Sequence, residues 1–392
     1  MRLTRTDRSL IAEWWFTVDR PMIGAVLLIM VLGAIVSLAA SPAVAHKIGE
    51  EPLYFFKRHL VFLVPSVILL VGASMFDPKL TRRAGLFLFL GGFVLMLLAM
   101  VQGIEKNGAV RWLIVGGGQS IQPSEFVKPG FVILTAWLFA EAGKRRDMPA
   151  LPLAVLALAA VAVMLVLQPD IGQTCLLVMV WGGLFFLAGY SLIWIGLALL
   201  AGGGAFVAAY FNIAHVHSRV DRFLSPGAGD THQIDTALTA FREGGWFGRG
   251  PGEGIVTPNL PDAYTDYIFA VIAEEFGIVF CLFLVALYGF IVWRGFRAAA
   301  RSQDMFIRLA LSGLMMLFGF QTLINMAVNV DLLPSKGMTL PFLSYGGSSL
   351  TAMALTMGLA LGLARRRPEA GPIYRSVARR SDGTVSSGGI RI

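Results

Sequence analysis

The chain has 392 residues, of which 56% are hydrophobic and 14% charged, with mean hydropathy +0.71. A soluble domain carries about 25% charged residues, so an ordinary soluble globular protein is excluded. The formal charge of +8 comes mostly from arginines beside apolar segments, which is a topology signal rather than a nucleic-acid surface.

Residues 1–20, with Trp14, Trp15 and Phe16, read as a cytoplasmic or interfacial segment entering the first span. Apolar runs of bilayer length follow at 21–41, 59–76, 84–102, 126–143, 151–167, 171–189, 191–211, 266–293, 307–330 and 340–364. The pattern predicts an all-α, polytopic integral membrane protein with about ten transmembrane helices. Ala43-Val44-Ala45 has the form of a signal-peptidase site, but the apolar stretch before it has membrane length, so it reads as a retained anchor.

Basic groups mark one side of these spans. Arg2, Arg5, Arg8 and Arg20 precede the first; Lys79, Arg82 and Arg83 follow the second; Lys144, Arg145 and Arg146 follow the fourth. Arg294, Arg297, Arg301 and Arg308 surround the loop after the eighth, and Arg365, Arg366 and Arg367 open the tail. All fall on the inner side if both termini are cytoplasmic. The membrane domain then covers 21–364, and 365–392 is a basic tail with a disordered composition. Loops 42–58, 103–125 and 212–265 lie outside, the last being the one sizeable extramembrane segment.

That long loop runs into "LPDAYTDYIFAVIAEEFG", residues 260–277, which sets Asp262, Asp266, Glu274 and Glu275 at the mouth of the eighth span. Carboxylates near lipid are costly and mark functional sites by default. If the helix continues outward through Asp266, that residue shares a face with Ala270, Ala273 and Glu274 at headgroup depth. Two readings stay open: Thr265 or Asp266 caps the helix, or Asp266 accepts a proton. Glu274 and Glu275 read as supports that orient partners or form ion pairs.

The same face gathers further charges. "NGAVRWLIVGGGQSIQPSEFVKPG" brings Arg111 and Trp112, with Glu125 and Lys128 at i and i+3. "LQPDIGQT" brings Asp170, "HSRVDRFLSP" brings Arg219 and Arg222, and "GGWFGRGPGEG" brings Arg249. "LLPSKGMTLPFLSYGGSS" places Lys336 outside the tenth span and Ser344, Tyr345, Gly346 and Gly347 in its first turns. Glycine and proline at membrane depth need protein or water around the freed backbone, so these segments describe a polar cavity open outward. Cations suit a phosphate and a carboxylate suits a hydroxyl proton; for Glu125 and Lys128 an internal ion pair is the equal alternative. The glycine-rich loop lacks the P-loop lysine and hydroxyl. Cys175, Cys281 and the five histidines have no metal-ligand spacing, and no metal site is assigned.

Five stretches carry a resemblance: "NGAVRWL…QPSEFVKPG", "LQPDIGQT", "GGWFGRGPGEG", "LPDAYTDYIFAVIAEEFG" and "INMAVNVDLLPSKGMTLPFLSYGGSS". In this order they resemble the SEDS family (shape, elongation, division and sporulation) of integral-membrane peptidoglycan glycosyltransferases, from the first span to Arg367. "GRGPGEG" followed by "LPDA" is similar to the division branch rather than the elongation branch. The resemblance implies polymerisation of lipid II, a disaccharide-pentapeptide on a polyprenyl diphosphate, with Asp266 as the essential carboxylate and general base. It implies that Arg111, Lys128, Arg249 and Lys336 hold diphosphate, that Trp112 packs on sugar or prenyl surface, and that Glu125 and Asp170 organise the cavity. It also implies a class B penicillin-binding protein and other division proteins as partners, at the septum of a bacterial cytoplasmic membrane. It calls for no cofactor, leaves room for a divalent cation, and involves no nucleic acid. A lipid II flippase and a non-enzymatic scaffold are the competing classes.

Three positions depart from the family pattern. Tyr264 stands where His is common, Thr257 where Lys is common, and Asp331 where a small residue is common.

Overall fold

A computed structural model describes residues 9–366 except 48, 107–108, 116–118, 146, 213, 215–216, 218–220, 222–231 and 335–336. Arg2, Arg5, Arg8, Arg146, Arg219, Arg222, Lys336, Arg367 and the tail after it lie outside the described residues.

Helices α1 (Leu10–Thr17), α2 (Arg20–Lys47), α3 (Tyr54–Ser74) and α4 (Pro78–Gln102) come first. Strands β1 (Ile104–Lys106), β2 (Ala109–Val115) and β3 (Gln119–Ile121) follow. Then come α5 (Pro123–Ala142), α6 (Ala150–Leu167), α7 (Ile171–Leu187), α8 (Leu192–Asn212) and α9 (His232–Gly244). A 3-10 turn (Thr257–Asn259) precedes α10 (Ile268–Ala300), α11 (Met305–Asn329) and α12 (Gly347–Ala364). Among the described residues seven helices are long and apolar enough to cross a membrane: α2, α3, α4, α6, α10, α11 and α12. The shorter apolar α7 has 17 residues, and a helix overlaps every one of the ten apolar runs.

Local chemistry sets the helix starts. Ser9 caps α1, Asp77 caps α4 and Asp304 caps α11, each accepting a backbone N–H of the first turn. Small residues let helices approach: a side chain at Gly130 of α5 would meet the backbone of α4, and Gly85 and Gly92 of α4 receive Ile133 and Val127 of α5. The centre of the bundle is α11 and α12, with 67% and 78% of their most apolar stretch buried against 22% for α3.

Three expectations change. Residues 103–122 are not an irregular loop but carry a three-stranded antiparallel sheet in the order β1-β2-β3, pairing Ile104 with Trp112 and Leu113 with Ile121. The last helix begins at Gly347, so Ser344, Tyr345 and Gly346 precede it in a turn. Ser344 holds that turn, accepting from the Leu340 N–H (2.7 Å) and donating to the Thr265 carbonyl (2.5 Å). Finally, α10 begins at Ile268 after its N-cap Tyr267, so Asp266 lies in the turn before the helix and does not share a helical face with Ala270 and Glu274.

Helix α10 is broken at Gly277, whose φ of 83° and ψ of 172° are non-helical. The break frees carbonyls and amides, and the turn after α9 takes them up. Arg249 and Gly250 N–H donate to the Glu274 and Glu275 carbonyls (2.9 and 3.0 Å), while Ile278 N–H donates to Gly245 (3.0 Å). An interrupted helix at the membrane boundary keeps its backbone groups satisfied only with such replacements.

Candidate active site

Asp266 stands in the turn over residues 261–267. Asp262 begins this turn with φ 51°, and its carbonyl accepts the N–H groups of Thr265, Asp266 and Tyr267 at 3.1, 3.1 and 3.2 Å. The Asp266 carbonyl is clamped from α11, accepting Nδ2 of Asn325 (2.8 Å) and Nδ2 of Asn329 (2.9 Å). Asn329 also accepts the Ala270 N–H at 3.0 Å, joining the first turn of α10 to the same clamp. The backbone of Asp266 is therefore fixed on both sides. Its carboxylate lines a cavity of about 720 Å³. Among the described residues no hydrogen bond to that carboxylate is found, and α10 has no side-chain cap. The capping reading of Asp266 is thereby set aside.

Burial raises the Asp266 acid to about 7, with the negative charges of Asp262 and Asp170 adding to the effect and Arg111 opposing it. A carboxyl raised toward neutrality and without a fixed partner suits a proton acceptor.

The opposite wall is a chain of paired groups. Asp170 caps α7 through the Gln173 N–H (3.3 Å) and pairs with Arg111 Nη1 on β2 (3.2 Å). Burial raises the Asp170 acid and Arg111 is the chief influence against that. Gln173 Nε2 donates to Glu125 Oε1 (2.9 Å), and Glu125 Oε2 pairs with Lys128 (2.9 Å). Lys128, 1% exposed, also donates to Gln321 Oε1 of α11 (2.9 Å), and Gln321 Nε2 reaches the Thr339 carbonyl (3.2 Å). Arg111, Trp112, Glu125 and Asp170 line the cavity with Asp266, whereas Lys128 is buried behind Glu125 and is not among the lining groups.

The remaining groups are placed elsewhere. Arg249 forms an ion pair with Glu243 at the end of α9 and is outside the cavity lining. Lys336 lies outside the described residues. Glu274 is fully buried and accepts Ile255 N–H (2.6 Å), Val256 N–H (2.7 Å), Thr257 N–H (2.8 Å) and Thr257 Oγ1 (2.6 Å). This explains Thr257: its hydroxyl completes the anchoring of the glycine-rich loop on α10. Tyr264 packs against Phe55 with ring centroids 4.2 Å apart and meets Tyr345 edge-on at 5.7 Å, so it is a wall of the cavity. Asp331 ends α11 with φ 59°, a left-handed stop that Asp tolerates better than most side chains.

Sequence reasoning missed Asn325, Asn329, Gln321 and Arg58. The first two had a signal: two amides one turn apart in an apolar helix, "INMAVNV", are expensive in lipid unless they face partners. Arg58 had none, because it sits among Lys57 and His59 at a helix start where basic residues are ordinary.

Residues 19–369 match the FtsW/RodA/SpoVE family of cell cycle proteins. The chain is 45% identical to the "Probable peptidoglycan glycosyltransferase FtsW" of Caulobacter vibrioides, over 93% of this chain and 94% of that protein. It is 32% identical to the protein of that name from Allochromatium vinosum, over 90% and 92%. Among solved structures it is similar to a chain from work on the structural coordination of polymerization and crosslinking by a peptidoglycan synthase complex, with TM-score 0.72, 26% identity and 89% and 98% coverage. It is also similar to the rod shape determining protein RodA of Thermus thermophilus, with TM-score 0.66, 27% identity and 89% and 97% coverage.

Proposed function

We propose, from the premise that the chain belongs to the FtsW/RodA/SpoVE family of cell cycle proteins, that it is the septal peptidoglycan glycosyltransferase, polymerising lipid II with Asp266 as general base. One observation carries the assignment of Asp266. Its carboxylate has a clamped backbone, a free acceptor face in a large polar cavity and an acid strength near neutrality.

In this reading Asp266 takes the proton of the 4-hydroxyl of the acceptor GlcNAc as that oxygen attacks C1 of the donor MurNAc. The C1–O bond to the polyprenyl diphosphate breaks, and the leaving group departs with the bonding pair. The α-linked donor becomes a β-1,4 glycan in one inverting displacement, so no sugar–enzyme bond forms. Asp262 supports the turn that presents the base. Asp170, Glu125, Arg111 and Lys128 hold the opposite wall in a fixed, internally neutralised arrangement. The active face is extracytoplasmic, both termini are cytoplasmic, and the chain crosses the membrane about ten times. A class B penicillin-binding protein cross-links the emerging strand.

The test is glycan polymer formed from purified lipid II by the full-length protein beside its transpeptidase, for the wild type and Asp266→Asn. Polymer from the wild type and its loss in the variant are expected. Movement of labelled lipid II across vesicles without polymer would overturn the enzyme reading in favour of a flippase.

A further inference from the structure

The charges around the cavity are unevenly satisfied. Its carboxylates are Glu125, Asp170, Asp262 and Asp266, and its cations are Arg58 and Arg111. Arg111 is paired with Asp170, Lys128 with Glu125 and Arg249 with Glu243. Among the described residues Arg58 is the cavity cation without a carboxylate partner. Its guanidinium lies 5.1 Å from the Tyr54 ring centroid, a contact that orients the group without neutralising it.

The start of α12 borders the same cavity. Gly346, Gly347, Ser348 and Ser349 all line it, and the N-cap Gly346 makes no side-chain cap bond. The first backbone N–H groups of this 18-residue helix therefore lack the acceptor that a Ser, Thr, Asp or Asn cap would supply. Ser349 is engaged with Thr339 (2.5 Å). Ser348 is only 6% exposed, lines the cavity, and has no hydrogen-bond partner for its hydroxyl among the described residues. Its oxygen opens to the cavity, where it can donate to an acceptor that enters. Arg58 is on α3, the helix packed most closely on α12, and its charge acts on the hydroxyl of Tyr345, next to the N-cap.

We infer that the uncapped N-terminus of α12, with the Ser348 hydroxyl and the Arg58 guanidinium, seats the diphosphate of the lipid-linked donor. The inference rests on the glycosyltransferase reading and names where its leaving group is held. Three features converge: helix N–H groups without a side-chain cap at the positive end of a helix dipole, a hydroxyl that faces the cavity with no partner among the described residues, and a cation with no internal counter-charge. The seat lies in the cavity that Asp266 lines, so one wall supplies the base and another receives the charge that develops on the departing oxygen. It also gives the paired cations Arg111 and Lys128 a different task, neutralising Asp170 and Glu125.

The test uses the full-length protein in lipid nanodiscs, with a C55 polyprenyl diphosphate as the probe and the monophosphate as its comparison. Arg58→Gln removes the charge, and Ser348→Pro removes both the hydroxyl and one first-turn N–H at a position where helices accept proline. Each is expected to weaken diphosphate binding by about ten- to a hundredfold, the range for a hydrogen bond to a charged group. Each is also expected to raise KM for lipid II more than it lowers kcat, and Arg58→Lys to restore part of the affinity. Thermal midpoints report folding; if Ser348→Pro does not fold, Ser348→Ala is read instead, with a loss of about threefold or more. Asp266→Asn separates the two claims, because it is expected to bind the diphosphate as the wild type does while forming no polymer. Wild-type affinity in both Arg58→Gln and the folded Ser348 variant overturns the seat. So does a loss confined to Arg111→Gln, which would put the diphosphate on the opposite wall. A wild-type protein that binds the diphosphate through Arg58 but forms no polymer overturns the enzyme reading and leaves the seat standing.

Discussion

At Asp266 the polypeptide is held through its carbonyl by two asparagines, and the carboxylate is left to the cavity. Asp266→Asn preserves the shape and the backbone clamp, so its expected effect is on chemistry: a loss of about 10²–10⁴-fold in polymerisation with unchanged insertion. The acid near 7 gives a pH dependence with a definite sign. Only the ionised form accepts a proton, so the rate is expected to rise with pH through about 7 and then level off. Stability runs the other way. The folded acid is weaker than the unfolded one, so between the unfolded value of 3.8 and about 7 the folded state holds more protons and loses stability as pH rises. Asp266→Asn is therefore expected to unfold later than the wild type above pH 7, by on the order of 1–3 kcal/mol after allowance for solvent in the cavity, with the difference vanishing at low pH. Thermal unfolding across pH measures it, and a pH-independent rate would remove Asp266 from the role of base. Lys128 is the converse case. Its removal in Lys128→Met strands a buried Glu125, and about 3–5 kcal/mol of stability is expected to go.

The elements that position the site are joined by a broken helix. Gly277 takes φ 83° where the turn after α9 enters α10, and a Cβ there would meet the backbone of Trp246, Phe247 and Gly248. Gly277→Ala is expected to lower the thermal midpoint by more than the roughly 1 kcal/mol of an ordinary glycine change, whereas Gly289→Ala in the same helix, with nothing near its Cβ, is expected to be neutral or stabilising. This difference decides whether the break is required or incidental. The sequence made the helices legible because twenty-residue apolar runs survive any local detail, and it made Asp266 legible because a carboxylate before such a run stands out. The sheet over 104–121 was not legible: its strands have 3, 7 and 3 residues, and the glycine-bearing sequence between them, Asn107-Gly108 and 116–118, reads equally as loop. The turn at 340–346 was hidden by its own apolar composition, since "LPFLSY" continues the hydropathy of α12 while Ser344 and a left-handed Phe342 (φ 66°) hold it out of the helix. The roles of Glu274 and Arg249 depend on contacts 6 to 19 residues away through that break, which no local spacing encodes.

Across the whole molecule one end is tied together by groups that belong to the chain's beginning and to its last helix. Trp14 donates to Ser74 (2.8 Å), and Arg365 reaches Thr17 (2.8 Å), the Met75 carbonyl (3.0 Å) and Glu13 (3.1 Å). Arg294 pairs with Asp19 on the same end (2.5 Å). These residues lie beside the basic clusters that the positive-inside rule assigns to the cytoplasm. The 18 residues of α12 separate this end from the cavity by roughly 27 Å, close to the hydrocarbon thickness. The proposed orientation therefore makes a prediction that depends on no reaction. In a variant lacking Cys175 and Cys281, a cysteine at Phe247, which is 84% exposed in the turn after α9, is expected to react with a membrane-impermeant maleimide added outside intact spheroplasts. A cysteine at Arg301, exposed at the end of α10, is expected to react only after the membrane is opened. The two positions flank one broken helix, so their opposite accessibility would fix the direction of α10 and with it the face of the membrane on which Asp266 lies. Protection of Phe247→Cys with free labelling of Arg301→Cys would invert the molecule and leave the cavity facing the cytoplasm, where a strand-polymerising site has no exit for its product.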